Sequence, residues 1–127
     1  MERLSDDVKQ KIAGAAWDGL REKFYDACNR ILNASPSATG ELTTVYIKFA
    51  VSAEPNAPVY AVIWLKNSRK WIIGLALPDD VNAGEFVDPP KRYAGLTKYF
   101  YITPEDPVPS SLDAWAVRAW EFVNSKQ

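Results

Sequence analysis

The sequence predicts an α+β domain. It should hold a four-stranded, largely antiparallel sheet, a long N-terminal helix (or helix pair) and a C-terminal helix. Three observations carry this. The stretch 58–78, PVYAVIWLKNSRKWIIGLALP, has two apolar runs, 59–65 and 71–77, around the polar break Lys66-Asn67-Ser68-Arg69-Lys70. Runs rich in Val, Ile, Trp and Tyr, each closed by proline on its outer side, read as strands, and the break reads as a hairpin turn. Residues 42–52 alternate apolar and polar groups, the period of a half-buried strand. Near both ends of the chain, apolar groups recur every three or four residues, the period of a helix with one buried face.

In chain order, residues 5–33 carry Val8, Ile12, Ala16, Leu20, Phe24, Cys28 and Ile31 on one stripe. Ser5 suits the N-cap, and Asp6 and Asp7 suit the positive end of the helix dipole. Gly14 weakens the middle, and a break at Trp17, Asp18 and Gly19 would give two shorter helices. Residues 33–40, NASPSATG, have loop composition. Val45, Ile47, Phe49 and Val51 then alternate with Thr44, Tyr46, Lys48 and Ala50 along the first strand. Pro55, Asn56 and Pro58 turn the chain into the central hairpin. The stretch 79–97 is a long polar connection holding Lys91 and Arg92. KYFYIT, 98–103, is the fourth strand, and TPEDPVP, 103–109, is stiffened by its prolines. The closing helix, 110–125, points Leu112, Trp115, Ala116, Ala119, Phe122 and Val123 inward, with Trp120 at the margin and Ser110 and Asp113 at capping-box spacing. The expected core is Phe49, Ile63, Leu65, Ile72 and Leu75, with Phe24 and Trp115 packed from the helices.

Composition limits the chemistry. At 127 residues the chain suits one domain, 1–127. Its net charge of −1 gives no global attraction to nucleic acid or to an anionic membrane. Histidine is absent, so imidazole acid–base catalysis and imidazole metal ligation are excluded. One cysteine cannot form an internal disulfide or a cysteine-cluster metal site, which suits a reducing compartment. The first residues, MERLSDDVKQ, do not resemble a secretion signal, and no stretch approaches the ~18 apolar residues of a membrane span. The expected location is therefore cytoplasmic, and the sequon Asn33-Ala34-Ser35 reads as chance.

Two features point toward binding. If Val45, Ile47, Phe49, Val59, Ala61, Ile63 and Leu65 face a helix layer, the other sheet face carries Tyr46, Lys48, Tyr60, Val62 and Trp64, joined by Tyr99 and Tyr101. Aromatic rings beside basic groups bind single-stranded nucleic acid by stacking and phosphate contact. A second helix covering that face would instead leave only the tyrosine hydroxyls wet at the rim. Lys66, Arg69, Lys70, Lys91, Arg92 and Lys98 form the second feature, an anion site if the loops converge. Otherwise they are a solvated rim offset by Asp79, Asp80, Glu85 and Asp88. The acid pairs Asp79-Asp80 and Glu105-Asp106 lack a companion ligand set, Cys28 lies on an apolar stripe, and Gly74, Gly84 and Gly95 match no phosphate loop.

The expectation is a non-enzymatic binding module with no cofactor and no metal. Its ligand-binding residues would be Arg69, Lys70, Lys91, Arg92, Tyr99 and Tyr101, converging at one end of the sheet. The ligand would be a phosphate-bearing molecule such as single-stranded nucleic acid, or an acidic protein partner. The alternative is a small-anion-binding or carboxylate-dependent accessory enzyme domain.

The order YAVIWLK, short turn, KWIIGLALP, polar basic loop, KYFYIT and SSLDAWAVRAWEFV resembles a family of small uncharacterised domains. These occur alone or fused at the end of chains labelled "predicted transport protein". The resemblance spans about residues 45–124 and departs in lacking a histidine near the fourth strand. It implies a fold rather than an activity.

Overall fold

The computed structural model describes residues 10, 21–42, 46–54, 56–64, 71–81, 83–84, 86–87, 95–103 and 108–125. Among these the chain is α+β. Helix α1 (Arg21–Leu32) precedes strands β1 (Thr39–Leu42), β2 (Tyr46–Ala50), β3 (Val59–Trp64), β4 (Trp71–Leu75) and β5 (Lys98–Ile102), and helix α2 (Leu112–Asn124) closes it. Every strand pairs antiparallel with its neighbour in sequence, giving one sheet in the order β1-β2-β3-β4-β5.

The sheet has five strands, not four. Thr39-Gly40-Glu41-Leu42 forms an edge strand where loop composition hid it, because a short Gly-containing segment shows no β-branched alternation. The single strand expected over 42–52 is corrected with it. Leu42 belongs to β1 and pairs back onto Ile47 of β2, so the chain reverses between them. The central hairpin is present as β3 and β4, and its turn, 65–70, lies outside the described residues, as does Leu65. Of the N-terminal helix expected over 5–33, Gln10 is helical and 21–32 form α1; the remainder before 21, with its proposed break, lies outside the described residues.

Both helices pack on one sheet face. Phe24, Ala27, Cys28, Ile31 and Leu32 of α1 and Leu112, Trp115, Ala116 and Ala119 of α2 meet Ile47, Phe49, Ala61, Ile63, Ile73, Leu75, Phe100 and Ile102. Full burial of such side chains stabilises by ~1.5–3 kcal/mol each, so this layer dominates the fold. Phe24 sets its ring edge-on to Trp71 at 5.2 Å, and Trp115 touches Phe100 at 5.5 Å and Phe86 at 4.8 Å. The connection after β4 is thus tied to the core at Phe86, although its composition is polar.

Two local features depart from simple periodicity. Phe49 pairs with Ala61 and Ala50 with Val59, so Tyr60 has no partner on β2. An extra residue of this kind bulges the strand and re-aims a side chain. Tyr60 therefore packs with the helix layer, not on the opposite face as alternation predicts, and Val59 packs on the opposite face in its place. The Tyr60 hydroxyl donates to the Ile31 carbonyl at 2.6 Å, in the last turn of α1. The second departure is at α2. Its N-cap is Ser111, with helical backbone angles and no side-chain cap bond. With the cap at Ser111, Asp113 falls at the second helical position rather than the third that a capping box needs, and its carboxylate instead accepts from Arg30 Nε at 2.8 Å.

Arg30 also donates to the carbonyls of Pro109 and Ser110, at 2.8 and 3.0 Å, and fastens the end of α1 to the start of α2. Val51 O accepts from Ser37 Oγ and Trp120 Nε1, joining the segment after α1 and the end of β2 to α2. The turn expected over 53–58 is closed by Ala57 N donating to Glu54 O, with Asn56 at φ 64°. Asparagine tolerates this left-handed conformation better than most residues.

Candidate functional site

Away from the helix layer, the sheet carries a second apolar cluster: Val62, Trp64, Ile72, Ala76, Leu96 and Tyr99, edged by Tyr46, Val59, Tyr101 and Val123. Strand register sorts it into rows. Tyr46 pairs with Trp64, Trp64 with Ile72 and Ile72 with Tyr101, so these four residues cross β2 to β5 in one line. Lys48, Val62, Gly74 and Tyr99 form the next line. The line from Tyr46 to Tyr101 lies at the end of the sheet where 65–70 connects Trp64 to Trp71.

Burial differs along that line. Trp64 is 8% exposed and Ile72 9%, whereas Tyr46 and Tyr101 are half-buried. The two accessible rings stand at opposite ends, three strand spacings or roughly 14 Å apart. Tyr99 is 1% exposed. Its ring lies 6.0 Å from that of Trp64, and its hydroxyl donates to Leu96 O at 3.2 Å. It occupies the space left by Gly74, where a Cβ would come within 2.7 Å of the ring. Tyr99 is thus a packed residue whose one polar atom is satisfied internally, and Tyr101 is the more accessible of the pair.

Arg69, Lys70, Lys91 and Arg92 lie outside the described residues. Their flanks do not share an end of the sheet. The segment 65–70 joins β3 to β4 at the Trp64–Trp71 end. The segment 88–94 leaves from Val87, whose amide donates to Tyr99 O at 2.7 Å, and returns at Gly95 before Thr97 donates to Leu75 O. Because Val87 runs antiparallel to β5, both flanks of that segment stand at the Leu75–Lys98 end. The two ends of β4 are roughly 13 Å apart.

Asp79 and Asp80 are exposed, and Asp80 reaches Arg118 at 3.7 Å. Glu105 and Asp106 lie outside the described residues. Among the described residues no group of three or more His, Cys, Asp or Glu could hold a metal ion. Cys28 is fully buried, and desolvation pushes its thiol well above the ordinary range, so the reactive thiolate is suppressed there. No helix among the described residues is long and apolar enough to cross a membrane.

Sequence reasoning placed Trp64 on this face but not its cross-strand line with Tyr46 and Tyr101, which depends on register. It also missed Arg30, whose acidic and carbonyl partners near residue 110 carry no local sequence signal. Searches of family models, curated proteins and solved structures found nothing that matches this chain.

Proposed function

We propose that this chain is a non-enzymatic binding module that takes a phosphate-bearing or acidic partner at the hairpin end of the sheet. The observation that carries the reading is the line Tyr46–Trp64–Ile72–Tyr101, which ends in accessible tyrosines beside the connection that holds Lys66, Arg69 and Lys70. In this reading Arg69 and Lys70 supply charge, and Tyr101 supplies an apolar wall and a hydroxyl donor. Lys91 and Arg92 contribute less in this reading, because the described flank of their connection, Val87, pairs with Tyr99 and leads toward the far end of the sheet.

The buried middle of the line favours an acidic protein surface over a stacked nucleic acid strand. Base stacking needs open ring faces at the spacing of successive bases. Here Trp64 and Tyr99 are covered, and the accessible rings are too widely separated for neighbouring nucleotides. The test uses the purified protein with a glutamate-rich peptide, an oligothymidylate and inorganic phosphate across a salt series. The peptide should bind, with affinity falling as salt rises. Arg69→Glu with Lys70→Glu should weaken it by about tenfold or more, equivalent to ~1.4 kcal/mol. Lys91→Glu with Arg92→Glu should have the smaller effect. Unchanged binding of every probe by both folded double variants would refute the assignment.

A further inference from the structure

We draw no further inference here: the strongest candidate, the strip of Tyr46, Lys48 and Glu41 on the β1–β2 side of the second sheet face, is a partly exposed sheet surface, and nothing in the structure shows what covers it.

Discussion

Replacing Gly74 with alanine tests the packing of the second sheet face. Gly74 sits mid-strand with no positive φ, so its backbone does not require glycine. What requires it is the Tyr99 ring. An added Cβ would meet Tyr99 Cε2 at 2.7 Å, Tyr99 Cδ2 at 3.0 Å and Leu96 Cδ1 at 3.1 Å. The ring has Trp64 beside it and its hydroxyl bonded to Leu96 O, so retreat disturbs other contacts. Overpacking of this kind costs about 1–3 kcal/mol. The lower backbone entropy of the unfolded alanine chain offsets about 0.4–1 kcal/mol of that. Gly74→Ala should therefore destabilise by about 1 kcal/mol net, lowering Tm by roughly 3–5 °C. Urea unfolding followed by circular dichroism reads the change, with the slope expected to stay constant. Tyr99→Leu removes the obstructing ring, so the alanine should cost less in that background, with a coupling of at least ~0.5 kcal/mol. Gly84→Ala serves as a control: none of the described residues lies within 4 Å of its added Cβ, and stability should hold or rise slightly. A Gly74→Ala protein as stable as the parent, or additive with Tyr99→Leu, would show that the close approach is not a constraint.

Tyr60→Phe should cost about 1 kcal/mol, measured by chemical denaturation, because the Ile31 carbonyl loses its 2.6 Å donor; Ala34 N still reaches that oxygen at 3.2 Å, which limits the loss. Arg30→Lys should destabilise almost as much as Arg30→Ala, about 1–2 kcal/mol, since one ammonium cannot span the Asp113 carboxylate and two carbonyls together; full retention of stability by the lysine variant would show that charge alone suffices. Cys28 should resist thiol reagents at pH 8 until the chain unfolds. Its folded pKa is raised, so its contribution to stability is complete below the unfolded thiol value of ~8.5 and lost as pH rises toward the folded one. Cys28→Ser should abolish that component of the alkaline decline while mildly lowering stability at neutral pH, because a hydroxyl replaces an apolar thiol.

The parts of the fold legible in the sequence are those where period and burial agree. Phe49, Ile63, Ile72 and Leu75 are buried as expected, as are Phe24 and Trp115 on the helices. Phe100 and Ile102 face the helix layer and Tyr99 the other side, as strand alternation requires. Tyr60 broke the pattern because a bulge shifts the phase by one residue, and nothing in VYAVIW announces a bulge. β1 escaped notice because edge pairing, rather than propensity, makes Thr39-Gly40-Glu41-Leu42 a strand. Asp113 sits at capping distance from Ser110 in sequence, yet the helix is capped at Ser111, one residue later, and Asp113 bonds a distant arginine instead. For the candidate site, the types of residue were legible, but the line from Tyr46 to Tyr101 depends on register across four strands.

The sequential order of the strands also bears on how the chain assembles. Each pairing joins neighbours in sequence, and the first three hairpins close over the short connections 43–45, 51–58 and 65–70 at small entropic cost, whereas β5 must return across 76–97 to reach β4. The distant closures belong to the last elements: Lys23 to Thr103 across 80 positions, Arg30 to Asp113 across 83, and Val51 to Trp120 across 69. A ribosome releasing this chain from its N-terminus can expose a formed meander while one side of its apolar layer still waits for α2. Trp115, Ala116 and Ala119 are the residues that end that exposure. The interval before they arrive is when a nascent copy is most vulnerable to sticking to its neighbours.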